Sequence, residues 1–301
     1  MVILVKISVF TPTYNRKDKL IVLFESLKSQ TYKNFEWIIV DDGSIDDTES
    51  VVSNIIQEFN DFNIIYKKQK NSGKHVAINT GVDLATGDLF FIVDSDDVLP
   101  QNSLETIIET VEMLNPNVKY AGIAGLKGFS DTEIVGKTFA EEYIECTSLD
   151  REKYNITGDK AEVFFTEVLR KYKFPSFENE NFITETVVWY EIANDGYKFR
   201  WFNKIIYICE YCEDGLSKKN NKFYDNYEGF IYQVSKEVKY KQLDKKNRLK
   251  QLLICFGYSK YKNYDIKVLA KKFNYSTIKA KFIRMIGYFI LKNIYKKQYG
   301  D

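Results

Sequence analysis

Largely apolar runs at residues 2–10, 35–40 and 89–93 each stop abruptly at a polar motif. The motifs are Thr11-Pro12-Thr13-Tyr14-Asn15-Arg16, Asp41-Asp42-Gly43-Ser44 and Asp94-Ser95-Asp96-Asp97. Short apolar runs rich in β-branched and aromatic residues read as buried strands. Stretches of helical spacing lie between them: Leu20, Leu23, Phe24 and Leu27; then Val51, Val52, Ile55, Ile56 and Phe59; then, after Gly73, Ala77, Ile78, Gly81, Val82 and Ala85. With a short strand at residues 63–66, the order is strand and helix in strict alternation. That alternation predicts an α/β fold, a mostly parallel sheet with helices on both faces. Ligands of such sheets gather outside the carboxyl ends of the strands, where all three polar motifs fall.

Asp94, Asp96 and Asp97 put three carboxylates within four residues at a buried strand tip. Mutual repulsion and desolvation both oppose this arrangement. A hard divalent cation shared with a phosphate-bearing ligand would offset them. An isolated Asp-x-Asp is more often a solvated turn; the convergence of three strand ends raises this one above that. Asn71-Ser72-Gly73-Lys74 is not a phosphate loop of the Walker type, because Lys68 stands where a glycine is required and His75 where Ser or Thr is. No G-x-G-x-x-G occurs either. Gly73 still precedes a helix, so its amides and Lys74 can face an anion. His75 is the single histidine, which removes His-based metal sites. Four scattered cysteines, including Cys209-x-x-Cys212 in an apolar run, read as core packing. The start of the chain lacks the pattern of a signal peptide, and no run of about 18 apolar residues occurs. A reducing, cytoplasmic setting is the expectation.

Four segments taken together resemble the family 2 glycosyltransferases, which have a GT-A fold: residues 10–16 and Val40-Asp41-Asp42-Gly43-Ser44-Ile45-Asp46-Asp47-Thr48, then residues 71–79 and Asp94-Ser95-Asp96-Asp97. Their order and spacing match over the first 100 residues or so, and more weakly to about residue 217. The resemblance implies inverting transfer of a sugar from a nucleotide diphosphate to an acceptor hydroxyl, with Mn²⁺ or Mg²⁺. It implies that Pro12 and Tyr14 line the base pocket and that Asp42 accepts the ring N–H of uracil. Asp94 and Ser95 would meet the donor, Asp94 at the ribose or the metal, and Asp96 would hold the metal. Asp41 would orient its loop, and Asp97 would assist or cap the next turn. Many relatives carry Arg where this chain has Ile78; Lys74, one helical turn earlier, is the substitute expected to meet the diphosphate. Inversion requires a base for the acceptor proton. Glu185, before a helix in residues 177–189, falls at the family's acidic acceptor-side motif, with Glu180 as the fallback. Trp189 and Trp201 can stack on a sugar but read more readily as core, and Asp214 resembles a segment that approaches the donor site in one subgroup.

Residues 103–114 read as a helix, 119–126 and 141–145 as strands, 161–172 as one amphipathic segment and 197–211 as largely strand. The expected organisation is a GT-A catalytic domain over residues 1–217, with a nucleotide-binding half to about residue 100 and an acceptor half beyond it. A mainly helical extension follows over 218–301. Charge divides along the same line. Residues 1–215 hold 22 Lys+Arg against 36 Asp+Glu, and residues 216–301 hold 21 against 6. The basic, aromatic-rich part, with apolar residues 282–295 flanked by Lys279, Lys281, Arg284, Lys292, Lys296 and Lys297, can lie on an anionic membrane surface or dock on the catalytic domain. The absence of a binding motif and the acidic catalytic half argue against nucleic acid. The expected partners are therefore a UDP-sugar and a saccharide acceptor, lipid-linked and met at the inner membrane face. A non-catalytic sugar-nucleotide-binding module and a metal-dependent nucleotidyltransferase are the alternatives.

Overall fold

The computed structural model describes residues 5–210 and 221–299. The chain forms two compact units, Met1–Ser176 with Val188–Lys219, and Phe177–Val187 with Asn220–Asp301.

The first unit is built on one eight-stranded sheet, β1 (Ile7–Thr13), β2 (Phe35–Asp41), β3 (Asn63–Lys68), β4 (Leu89–Ile92), β5 (Tyr120–Gly128), β6 (Tyr143–Cys146), β7 (Lys160–Phe165) and β8 (Lys198–Ile208), in the order β3-β2-β1-β4-β7-β5-β8-β6. β3, β2, β1 and β4 are parallel neighbours. β7 runs antiparallel between β4 and β5, β8 is parallel to β5, and β6 is antiparallel to β8. The helices are α1 (Lys17–Lys28), α2 (Thr48–Glu58), α3 (Lys74–Leu84), α4 (Ser103–Glu112), the single turn α5 (Thr166–Leu169) and α6 (Thr186–Asn194), with a 3-10 helix at Ser148–Tyr154. The mostly parallel sheet with flanking helices is the GT-A arrangement that the motifs imply. The amphipathic stretch 161–172 divides into β7 and α5. Its helical spacing yields to a slot between β4 and β5 that only an extended segment can fill.

The polar interruptions in the first two strands explain one another. Ser8 lies opposite Glu36 in the β1–β2 register. The buried Glu36 carboxylate accepts from the Lys6 ammonium at 2.7 Å, the Ser8 hydroxyl at 2.6 Å and the amide and hydroxyl of Thr86 at 2.7 Å. Burial alone would raise its pKa, but these four bonds outweigh it and hold the group at about 2. Around that polar knot the core closes over Trp37, Phe24, Leu20, Leu23, Phe91, Ile123, Val163 and Tyr207. Trp189 packs against Phe164 and Phe174, and the Trp201 indole donates to the Cys146 carbonyl at 3.1 Å. Both tryptophans are therefore core residues. Cys146 is buried, and the half-buried Cys209 thiol meets the Gly128 carbonyl; Cys212 lies outside the described residues.

The second unit comprises α7 (Lys222–Asp225), α8 (Tyr227–Glu237), α9 (Lys245–Tyr261), α10 (Ile266–Lys272) and α11 (Thr277–Tyr299), together with residues 177–187. Its core gathers Tyr227, Phe230, Ile231, Val234, Cys255, Phe256, Leu269, Phe273, Ala280 and Ile283. Among the described residues no helix is long and apolar enough to cross a membrane.

Candidate active site

The strand order reverses direction at β1: β2 and β3 build outward on one side, and the chain then returns to add β4 on the other. A crevice at such a switch point is where open α/β sheets bind ligands. Thr13 is in register with Asp41 on β2, and Phe10 with Ile92 on β4, so Tyr14, Asp42 and Asp94 follow three neighbouring strand ends. β5 and β8 point the same way, adding Lys127 and Tyr207 to this edge.

The first three motifs are hydrogen-bonded into one rim. The Asn15 amide donates to the Ser44 hydroxyl at 2.9 Å, and the Asn15 side chain accepts from the Ile45 amide at 2.9 Å. Asp41 accepts from the Ser44 amide and the Tyr66 hydroxyl, both at 2.7 Å, and so orients the loop as expected of it. Asp42 accepts from the Gln69 side chain at 2.8 Å and from the amides of Ser72 at 2.9 Å and Gly73 at 2.7 Å. The anion that the start of α3 receives is therefore the chain's own carboxylate. Three of the four lone-pair positions on Asp42 are taken, leaving one for a ligand N–H. Gly43 adopts φ +84°, and a Cβ there would approach the Asn71 amide nitrogen to 2.9 Å, so the rim closes only with glycine. Beside this rim Tyr14 presents its ring to solvent, 46% exposed, and Pro12 is half-buried.

The acidic loop after β4 is held from below. The Tyr207 hydroxyl accepts the Asp94 amide at 2.9 Å and donates to the Asp97 carboxylate. Asp97 also accepts the Glu210 amide at 2.9 Å, and Val98 exchanges both backbone hydrogen bonds with Ile208. Asp97 is thus a structural clasp. Burial first, and the neighbouring Asp94 charge second, push its pKa to about 6. Asp94 pairs with Lys74, its two oxygens 2.7 and 3.0 Å from the ammonium. Desolvation would raise the Asp94 pKa, but Lys74 and then Lys127 pull it below the usual carboxylate range. Lys127 lies 4.0 Å from the centre of the Tyr207 ring. Ser95 is buried. Asp96 is half-buried and has no hydrogen bond or ion pair with any described residue. It is the carboxylate of this loop without such a partner among the described residues. Among the described residues no group of three His, Cys, Asp or Glu forms a metal cage. The donor set therefore fits a cation that takes most of its oxygens from phosphate and water, as Mg²⁺ and Mn²⁺ do.

Ile78 is buried on the inner face of α3, where a cation would be desolvated; Lys74 is the basic group of that segment turned toward the acidic loop. His75 is buried with its Nδ1 unpaired among the described residues, and desolvation lowers its pKa to about 4, so it is neutral near pH 7. Sequence reasoning missed Tyr207 and Lys127. Both lie in strands that carry no polar motif, and the hydrogen bond from Asp94 to Tyr207 spans 113 positions.

Glu185 belongs to the second unit and stands half-buried directly before α6. The hydroxyl of Thr184 accepts the Thr186 amide at 3.1 Å, a cap supplied by a neighbour of Glu185. Its segment is fastened within its own unit. Glu180 accepts the amides of Glu228 and Gly229 at the start of α8, at 2.7 and 2.8 Å, and the Asn226 side chain accepts those of Asn181 and Phe182 at 2.9 and 3.1 Å. Glu180 is therefore a cap for α8. Asp214 lies outside the described residues.

Residues 8–173 match the family described as glycosyl transferase family 2. The chain belongs to that family. Among its relatives, glycosyltransferase GlyA of Streptococcus pneumoniae (serotype 4) is 28% identical over 71% of this chain and 32% of its own length. The Campylobacter jejuni GalNAc(5)-diNAcBac-PP-undecaprenol beta-1,3-glucosyltransferase is 29% identical over 63% of this chain and 60% of its own length. The chain thus spans 32% and 60% of the length of these two relatives. In fold it is similar to S. aureus TarS 1–349 in complex with UDP-GlcNAc, with TM-score 0.62 and 21% identity over 84% of this chain and 72% of that one. It is also similar to the mannosyltransferase PcManGT of Pyrobaculum calidifontis in complex with GDP-Man and Mn²⁺, with TM-score 0.56 and 16% identity over 97% and 87%.

Proposed function

We propose that this glycosyltransferase moves a sugar from a UDP-sugar to a hydroxyl of a saccharide acceptor, with inversion and with a divalent metal. The observation that carries the reading is the carboxyl edge of the sheet. An exposed aromatic ring, Tyr14, follows β1; a buried carboxylate, Asp42, with one lone pair left open by the described residues, follows β2; and Asp96, a carboxylate with no partner among the described residues, follows β4. A nucleoside diphosphate presents the matching sequence of chemistry: a base to stack and to hydrogen-bond, then charged phosphates. Tyr14 and Pro12 take the base, Asp42 its ring N–H, Asp94 and Ser95 the ribose side. Asp96, with Asp94 beside it, would hold Mn²⁺ or Mg²⁺, which when bound neutralises charge on the departing diphosphate. Lys74, through its partnership with Asp94, adds positive charge to the same place.

In the reaction the acceptor oxygen attacks the anomeric carbon from the face opposite the diphosphate. The new C–O bond forms as the bond to the phosphate oxygen breaks, and Glu185 takes the acceptor proton. The bonding pair leaves on the UDP. The acceptor in this reading is lipid-linked, which accords with the PP-undecaprenol in the name of the Campylobacter relative, and is met at the cytoplasmic face of a bacterial membrane in surface-polysaccharide synthesis. A catalytic domain over residues 1–217 with a basic helical extension over 218–301 is the matching organisation.

A screen of UDP- and GDP-sugars for slow donor hydrolysis, with and without Mn²⁺ or Mg²⁺, tests base, metal and sugar together. Metal-dependent release of UDP from one UDP-sugar is the expected result. Selective turnover of a GDP-sugar overturns the base assignment, and undiminished hydrolysis in chelator overturns the metal. UDP binding without turnover on any acceptor favours a non-catalytic module, and release of pyrophosphate a nucleotidyltransferase.

A further inference from the structure

α11 carries two apolar seams on opposite sides. The inner seam is Ala280, Ile283, Gly287 and Leu291, all buried. It crosses α9 with the two backbones nearly in contact: a Cβ on Gly287 would fall 2.0 Å from the Leu253 carbonyl oxygen, and one on Gly257 2.7 Å from the Gly287 carbonyl. Docking of this helix within its own unit is complete through that seam. The outer seam is Ile278, Phe282, Met285 and Phe289, exposed by 83, 58, 50 and 57%. The steps of four, three and four residues make it a straight stripe, about 16 Å long at 1.5 Å per residue. Four large apolar side chains aligned on the solvent face of a docked helix form a patch, not scattered exposure.

We infer that this outer seam is a docking surface for an anionic lipid bilayer. Charge decides the occupant. Helix α11 contains six Lys and Arg and no Asp or Glu. Lys281 and Lys292 border the stripe on one side, both exposed, and Lys279 borders it on the other with its ammonium 3.7 Å from the centre of the Tyr275 ring. An apolar stripe bordered by cations matches a layer of acyl chains beneath anionic headgroups. A second copy pairing through the same stripe would set these cations against themselves. The inference deepens the proposal of a membrane-bound acceptor and rests on it for its purpose: the enzyme would stay where a lipid-linked saccharide is found.

Co-sedimentation of the purified full chain with lipid vesicles tests it. The chain should bind vesicles containing phosphatidylglycerol, bind pure phosphatidylcholine at least tenfold more weakly, and lose binding as salt rises. Phe282→Ser with Phe289→Ser should lower the partition constant by tenfold or more. Lys281→Gln and Lys292→Gln should each lower it by about fivefold. All these side chains are exposed, so thermal unfolding should move little, which separates lost docking from misfolding. No binding to anionic vesicles, or equal binding by the Phe282→Ser/Phe289→Ser variant, overturns the inference. So does a concentration-dependent dimer that the same double substitution abolishes. Donor hydrolysis measured without vesicles checks the enzymatic reading independently, because none of these variants should change it.

Discussion

The Tyr207 hydroxyl accepts a hydrogen bond from the Asp94 amide and donates one to the Asp97 carboxylate, so a single oxygen fixes both ends of the loop that carries Asp96. Tyr207→Phe keeps the ring in the core but leaves an amide and a carboxylate oxygen without this partner. The expected loss of stability is about 1–3 kcal/mol, read from urea unfolding. A structural role alone would stop there. A positioning role predicts in addition that the metal concentration for half-maximal turnover rises several-fold, with a smaller change in kcat at saturating metal. Asp96→Asn should behave oppositely. It removes a charge that no described residue pairs with, so the unfolding midpoint should hold while turnover falls by roughly 10²–10³-fold. Wild-type turnover in purified Asp96→Asn would end its assignment to the metal. For Glu185→Gln the expected loss is in kcat, by about 10²–10⁴-fold, with UDP affinity within twofold of wild type. A large fall in UDP affinity would mark Glu185 as structural.

At the level of elements, the rim of the site was legible in the sequence because polar residues interrupt apolar strands there, and nothing but mutual hydrogen bonding or ligand binding lets them stay. Asn15, Asp42 and Gly43 each meet another motif in that way, and Asp41 holds Ser44 of its own motif. Tyr207 was not legible, since a tyrosine in an apolar strand looks like ordinary core until Asp94 and Asp97 are known to lie over it. β7 was hidden for a different reason. Its spacing suits a helix, and only the gap between β4 and β5 selects the strand. The crossing of α9 and α11 was equally silent, because Gly257 and Gly287 matter through each other's backbones. Gly287→Ala drives a methyl group into the Leu253 carbonyl and must separate the two helices. Overpacking of this kind costs about 1–3 kcal/mol. The expected result is an earlier unfolding transition for the helical unit, with UDP binding intact in the native baseline. An unchanged melt would mean that the two helices do not pack through these glycines.

For the molecule as a whole, acid sensitivity follows from groups whose pKa values folding displaces. His75 is neutral in the fold with a pKa of about 4, against an ordinary value of 6.5, because burial disfavours its charged form; no described residue pairs with its Nδ1. Above pH 6.5 neither the folded nor the unfolded chain protonates it, and its contribution is complete. Between pH 6.5 and 4 the unfolded chain takes up a proton that the folded chain refuses, so stability falls as pH falls, by roughly 3 kcal/mol over the window. Glu36, held at about 2 by Lys6, Ser8 and Thr86, has the same sign at lower pH: its contribution is lost as pH drops from 4.5 toward 2. Asp97, raised to about 6, acts in the opposite direction, because the folded chain protonates it before the unfolded chain does. A wild-type curve therefore mixes the signs, and a difference curve separates them. His75→Leu removes the histidine and leaves Asp97 and Glu36 in place. The variant's stability minus that of wild type, from urea titrations, should climb by roughly 3 kcal/mol from pH 7 to pH 4 and then level off. A flat difference would show that His75 protonates in the folded chain as readily as in the unfolded one, and that the interior around α3 admits water or a hydrogen-bond partner for Nδ1.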